Sequence, residues 1–344
     1  MTEITTLGLD LGKRVFQVHG VDAAGKTVLR QKLQRGQMAG FFADLAPCLV
    51  GREACATAHY WARLIATHGH QVRLIPPAYV KPYVRRSKTD AADAAAICEA
   101  VARPSMRFVP VKSAGQQAAL SQHRIRDLLV RQRTMLINAL RGHLGEFGII
   151  GPVGRHRVAE LERALAAADE GTVPALAREG LQILIAELHS LDQRIKAIEV
   201  AIVRENKTNA VSRRLTTIPG IGPITASAIA AMIPDPAAFK SGREFAAWIG
   251  LVPRQHSSGG KQRLGRISKR GNRYLRRLLT VGATAVMRHL PGKLDRLSVW
   301  LRKLLDRRPF RLVSSALANK LARIAWAVMI RQDTYKNSTT AAAA

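Results

Sequence analysis

Apolar and polar positions alternate in three short runs at the start of the chain. Ile4 to Leu11 is apolar around a single acid, Asp10; Arg14 to Val21 alternates; Gly25 then turns the chain into Thr27 to Leu33. A period of two predicts strands with one buried face. Helical stretches follow at 37–47 and 57–69, and then a strand, Gln71-Val-Arg-Leu-Ile75, stopped by Pro76-Pro77. The order β-β-β-α-β-α predicts an α/β domain over residues 1–112.

From Ser113 the pattern is helical. Leu181, Leu184, Leu188, Leu191, Ile195, Ile198 and Ile202 recur three and four apart with charges between them, a heptad seam that predicts a coiled coil or a long helical hairpin in a middle region, 113–210. A helix packed on its own domain fits the same spacing. A third region, 211–332, opens with two apolar helical segments punctuated by Pro219, Gly220, Gly222 and Pro223, passes through a loop at 252–266 and returns to helices. Residues 333–344 form a polar tail ending in four alanines and are expected to be disordered.

With 344 residues and 47% apolar content, the chain supports several folded domains. Charge then narrows the function. Lys and Arg number 54 against 24 Asp and Glu, a net +30 that points to a polyanionic partner. From Lys240 onward there are 23 basic residues and four acids, so the last third is the stronger binder, and nucleic acid explains it better than a membrane surface. Cys48, Cys55 and Cys98 form no paired framework and read as thiols of a reducing compartment. No signal-like segment and no long uncharged apolar run is present, which predicts a cytoplasmic protein that is neither secreted nor membrane-spanning.

Against this basic background four carboxylates stand out. Asp10 lies in the first strand, Glu53 is the only acid between Asp44 and Asp90, and Asp90 and Asp93 share one face of a helix start. Acids from separate segments that converge on one phosphate are what a Mg²⁺-dependent two-metal nuclease requires. A solvated helix start, salt-bridged by Arg85, Arg86 and Lys88, is the alternative for the Asp pair. Leu-Asp10-Leu-Gly also suits the phosphate turn of actin-like sugar kinases, but the second Asp-x-Gly turn and the Gly-rich adenosine loop of such kinases are not found.

Two further constellations carry chemistry. Leu215 to Ile229, with Gly220 and Gly222 between helices, looks like a helix-hairpin-helix, whose glycines and helix amides grip a phosphate without reading sequence; an ordinary interhelical turn is the alternative. Between Arg254 and Arg277 nine Lys and Arg occur with no acid, including Arg254, Lys261, Arg263, Arg266, Lys269, Arg270 and Arg273, around Ser257-Ser258-Gly259-Gly260. This is a phosphate-binding loop or a nucleophile loop.

Taken together, Gly8-Leu-Asp10-Leu-Gly-Lys13, Glu53-Ala-Cys-Ala-Thr-Ala-His59-Tyr60-Trp61, Lys88-Thr-Asp90-Ala-Ala-Asp93-Ala, Pro219-Gly-Ile-Gly222 and Ser258-Gly259 through Gly271-Asn272-Arg273 resemble the insertion-sequence transposases that join a RuvC-like DEDD domain to a C-terminal serine transposase domain, the bridge-RNA-guided recombinases. The resemblance spans nearly the whole chain. It implies an RNase H-like first domain with Asp10, Glu53, Asp90 and Asp93 on Mg²⁺, and a mainly helical C-terminal domain whose serine forms a phosphoserine bond to DNA. The serine directly before glycine is Ser258; the doubled serine leaves Ser257 beside it as the other choice. Donor and target DNA, a noncoding guide RNA and a homo-oligomer, dimer or tetramer, are the partners implied. Two readings compete with this one: a metal-dependent Holliday-junction resolvase or structure-specific nuclease that uses water, and a non-catalytic nucleic-acid-binding protein.

Overall fold

The computed structural model describes residues 3–84 and 89–336, which fall into two compact units: Met1–Gln117 with Ile233–Ala238, and Ala118–Met232 with Phe239–Ala344. Arg85, Arg86 and Lys88, invoked above as partners for the Asp pair, lie outside the described residues, as does the tail from 337 onward.

The first unit is built on a five-stranded sheet. Its elements are β1 (Thr6–Leu11), β2 (Val15–Val21), β3 (Thr27–Gln34), α1 (Met38–Asp44), β4 (Leu49–Glu53), α2 (Ala58–Thr67), β5 (Gln71–Ile75), α3 (Pro77–Val80) and α4 (Asp90–Val101). The strand order is β3-β2-β1-β4-β5, with β1, β2 and β3 antiparallel and β1, β4 and β5 parallel. The β-β-β-α-β-α alternation expected from sequence is present, but the strand between the first two helices, β4, was not among the elements read there, and it lies at the centre of the parallel half. Its five residues hold only two large apolar side chains, Leu49 and Val50, beside Gly51 and two charges, so its pattern is too short to announce itself.

Alternation along β1 divides its side chains between two faces. Leu7 and Leu9 are fully buried with Phe16, Val18, Val50, Phe42, Trp61 and Ile65. The other face is made of glycines where α4 crosses. A Cβ on Gly8 would lie 2.1 Å from the Ala94 carbonyl oxygen and 2.5 Å from the Cys98 nitrogen, and one on Gly51 would lie 2.6 Å from Val101 Cβ. At Gly8 helix backbone rests directly on strand backbone, and at Gly51 the Val101 side chain fills the space. Behind that contact Ala96, Ile97, Ala100 and Val101 of α4 pack with Ile75 and Val80.

The second unit is helical apart from one hairpin. Its elements are α5 (Ala114–Glu146, whose residues from Ala118 on belong here), α6 (Val158–Ala167), α7 (Ala175–Thr208), α8 (Ala210–Leu215), α9 (Pro223–Met232), α10 (Gly242–Ile249), β6 (Pro253–Gln255), β7 (Leu264–Ile267), α11 (Arg273–Arg288), α12 (Arg296–Leu305) and α13 (Phe310–Arg331). The heptad seam turns inward within this chain. Leu181, Leu188, Leu191, Ile195 and Ile202 are buried, and ion pairs Arg126–Glu199 and Arg133–Asp192, each at 2.6 Å, align α7 antiparallel to α5. The pair is a helical hairpin capped by α6, through Leu161 and Leu165, in one core with Leu140, Leu144, Leu181 and Leu188.

A buried polar chain ties four helices of this unit together. His123 on α5 bonds Tyr274 Oη of α11 at 3.1 Å and Ser227 Oγ of α9 at 3.1 Å, and the Ser227 hydroxyl donates to Glu205 of α7 at 3.1 Å. Burial, helped by the charge of Arg126, pushes the His123 pKa down to about 4, so the ring is neutral at physiological pH and its two nitrogens serve one as donor and one as acceptor.

The glycine contact yields a direct test. Gly8→Ala must drive α4 off the sheet, and overpacking of this kind costs roughly 1–3 kcal/mol or more. The urea midpoint of unfolding is expected to fall by the corresponding amount, whereas Gly36→Ala, where a Cβ meets nothing within 4 Å, is expected to leave it unchanged.

Candidate active site and nucleic-acid interface

Seating α4 on Gly8 and Gly51 positions its first turn over the carboxyl end of β1. Thr89 caps the helix, its hydroxyl oxygen accepting from the Ala92 amide at 3.2 Å, and Asp90 and Asp93 occupy the first turn. Asp10 follows Gly8 by two residues and so points to the α4 face. Carboxylate oxygens of Asp10, Asp90 and Asp93 all lie within 4.8 Å of one another, with Asp10 and Asp93 half-buried and Asp90 exposed. Leu9 pairs with Arg52 in parallel register, which sets Glu53 beside Asp10 at the ends of neighbouring strands. Glu53 is outside the close trio, but its charge is felt at Asp10.

The electrostatics follow from this crowding. Burial, then the charges of Asp93 and Asp90, raise the Asp10 pKa to about 6; the Leu11 amide opposes the rise and Glu53 adds a little to it. An all-oxygen set of converging carboxylates, repelling one another and partly withdrawn from water, suits a hard divalent cation. The residues present therefore fit such an ion, which would relieve the repulsion that holds a proton on Asp10.

Arg52, which the sequence reading passed over, underlies the same strands. Alternation puts it on the face opposite Glu53, where it is fully buried, and among the described residues its three guanidinium nitrogens find no hydrogen-bond acceptor. Burial pushes its pKa down to about 10, countered by Cys55 and by Asp10. The available signal was a charge inside the apolar run Leu49-Val-Gly-Arg52, legible only once that run is known to be a strand.

In the second unit the 216–222 turn joins α8 to α9. Gly220 has φ +82°, and a Cβ there would lie 2.9 Å from the Gly282 carbonyl oxygen of α11. Its missing side chain thus serves close packing of the turn on a neighbouring helix, while Gly222 is exposed, with open space around it.

The expected loop at 252–266 is instead an antiparallel hairpin of β6 and β7. Ser258 and Lys261 pair across its tip, the Lys261 amide donating to the Ser258 carbonyl at 3.1 Å, and Gly259 and Gly260, with φ +55° and +77°, make the two-residue turn. Two successive positive φ angles are what a tight hairpin needs and what glycine supplies. Ser257 Oγ accepts from the Arg263 amide at 3.4 Å, and Ser257, Ser258, Arg254, Lys261, Arg263 and Arg266 are all exposed.

The base of the hairpin is clasped by backbone. A Cβ on Gly250 would lie 1.9 Å from the Arg270 carbonyl oxygen, and one on Gly271 would lie 1.8 Å from that of Trp248. The Lys269 amide donates to Gly250 at 3.1 Å, the Arg276 guanidinium donates to the Ile249 carbonyl at 2.7 Å, and Asn272 caps α11 by accepting from Leu275. Lys269, Arg270 and Arg273 stay exposed around this clasp. The four acids thus belong to the first unit, and Ser258 with its cations to the second.

Known proteins give the class. One family model, described as a transposase and named for the DEDD type of IS110, matches residues 7–149, and another, the IS116/IS110/IS902 transposase family, matches residues 212–297. These two matches place the chain among transposases. A probable family 20 transposase of Pseudomonas aeruginosa is 53% identical over 97% of this chain and 99% of its own length. The transposases of IS1328 from Yersinia enterocolitica and IS1111A from Coxiella burnetii are each 43% identical, covering 95% and 98% of this chain and 97% and 92% of their own. The chain belongs to the IS110/IS116/IS902 family of transposases. Among the described residues no helix is long and apolar enough to cross a membrane.

Two measurements probe the acid cluster. A carboxyl whose folded pKa lies above its unfolded value keeps its proton longer in the native state, so its contribution to stability falls as pH rises through the gap. In EDTA the melting temperature is expected to drop between about pH 4 and pH 6 and then level, and Asp10→Asn to remove that drop. Arg52→Met replaces a buried cation that lacks a geometrically good hydrogen-bond acceptor with an apolar chain of similar length; the free energy of unfolding from urea titration is expected to rise, by an amount on the order of 1–4 kcal/mol.

Proposed function

We propose that this transposase excises and inserts its own element through metal-assisted strand cleavage, with Ser258 as the nucleophile that becomes linked to DNA. The observation that carries the reading is the convergence of Asp10, Asp90 and Asp93 at the carboxyl ends of parallel strands, with Glu53 alongside. An order of three antiparallel strands continued by two parallel ones, with an acid on the first strand and two on the helix crossing it, supports an RNase H-like, RuvC-like first unit.

In this reading Asp10, Glu53, Asp90 and Asp93 hold Mg²⁺, which when bound supplies positive charge to the scissile phosphate. The hairpin carries Ser258 outward beside its two-glycine turn, and its hydroxyl oxygen forms a bond to phosphorus as the bond to a deoxyribose oxygen breaks. The serine hydroxyl loses its proton, the departing sugar hydroxyl gains one, and attack by a hydroxyl of the partner strand reverses the step. One phosphodiester is exchanged for another, so no external energy source is needed. Arg254, Lys261, Arg263, Arg266, Lys269, Arg270 and Arg273 steady phosphates around that serine, and the α8–α9 turn, acting as a helix-hairpin-helix through Gly222, adds a sequence-independent grip. Site choice by a noncoding guide RNA, and assembly as a dimer or tetramer in which one copy's acids serve another's serine, complete the proposal.

A water nucleophile, as in a junction resolvase, is favoured by one fact: among the described residues no side chain bonds Ser258 Oγ to act as its base. The experiment separates the two. Protein, Mg²⁺, flanking-region transcript and labelled donor and target duplexes are run on a denaturing gel with wild type, Ser257→Ala, Ser258→Ala and Asp90→Ala. Label shifted with the protein in wild type and Ser257→Ala, and absent in Ser258→Ala and Asp90→Ala, is the expected result. Free cut DNA with no adduct, indifferent to both serine changes, would replace the serine with water.

A further inference from the structure

The family matches reach no further than residue 297, in the first turn of α12, yet residues 298–336 hold nine Lys and Arg against two acids. The cations are not evenly spread. Lys303, Arg307, Arg308 and Arg311 are all exposed at the turn from α12 to α13, with Asp306 the one acid among them. Beside them Phe310, the first residue of α13, is 43% exposed and Leu312 is 53% exposed. Phe310 lies at the N-terminal end of the buried stripe Val313, Ser314, Leu317 and Leu321, but is itself exposed. Pro309 caps the 22-residue helix without a side-chain hydrogen bond and no acid occupies the first turn, so the positive end of the helix dipole is left for an anion.

We propose that the α12–α13 turn is a second nucleic-acid contact that takes unpaired nucleotides, with Phe310 as the platform for a base and Arg307, Arg308 and Arg311 holding the adjoining phosphates. Cations alone would serve a duplex equally well. An exposed ring among them decides for single strands, because base faces are covered by their neighbours in a duplex and open in an unpaired segment. The shared chemistry is a run of unpaired nucleotides, of DNA or of RNA. The proposal does not depend on the metal or serine chemistry above, and binding can be measured with both silent.

The test uses the full-length protein in EDTA, at about 0.15 M salt. Labelled oligothymidylate and oligouridylate of about 12 nucleotides, within the site sizes of single-strand binders, are compared with a mixed-sequence duplex of the same length. Phe310→Ala is expected to weaken single-strand binding roughly 5- to 100-fold, with duplex binding unchanged and Phe310→Tyr restoring the wild-type affinity. Arg307→Ala with Arg308→Ala is expected to lower the single-strand salt slope by about 1.4. Ultraviolet crosslinking of bromouracil-substituted strands, read by mass spectrometry, is expected to mark the peptide around Phe310, and the stronger of the two oligonucleotides identifies DNA or RNA as the source. Equal losses on duplex and single strand, or crosslinks confined to 254–277, would overturn the proposal. Should Phe310→Ala lower the melting temperature, Phe310→Tyr and the wild-type crosslink still decide it.

Discussion

Like charges crowd at the heart of the first unit, and everything around them is arranged to bear it. Carboxylates within 4.8 Å of one another repel, and half-burial of two of them strips away the water that would screen the repulsion. The arrangement stands because the elements that carry the acids are locked by something stronger. Helix α4 is pressed onto β1 and β4, its backbone against Gly8 and its Val101 side chain against Gly51, so its first turn cannot drift from Asp10 without breaking a contact that leaves no room for a Cβ on either strand. Packing fixes the geometry and the charges are left frustrated, which is the state in which a cation gains most by binding.

Much of this was legible in the sequence. Asp10 announced itself as a lone acid in an apolar strand, and the Asp90–Asp93 spacing at a capped helix start gave one shared face. The strand bearing Glu53 was hidden, since five residues with a glycine and two charges show no period; only parallel pairing on both sides makes it a central strand. Arg52 was hidden with it. In the second unit the heptad seam showed which face of α7 is buried but not against what, because its partner α5 lies some fifty residues earlier in the chain and a helical stripe does not name the surface it meets. The basic stretch around Ser258 read as a loop because strands exposed on both faces carry no hydrophobic alternation, although the Gly259-Gly260 pair was a hairpin signal in its own right.

The units divide their labour by physical character. One concentrates acids at the end of a rigid sheet, while the other spreads cations over helix ends and a projecting hairpin and keeps its interior together with hydrophobic seams and the neutral His123 chain. Fixed sheet ends suit the placement of an ion to within fractions of an ångström. Helix termini and turns, with their unpaired amides, suit contact with a flexible polyanion.

The clasp at the foot of the hairpin is made almost wholly of main chain: Gly250 against Arg270, Gly271 against Trp248, and amides and a guanidinium reaching carbonyls. A foothold of that kind asks for glycine at two places and nothing particular from the residues of the arm itself. The stability of the body that carries the arm is therefore set at its root, and a change in the arm's exposed side chains leaves that grip as it is.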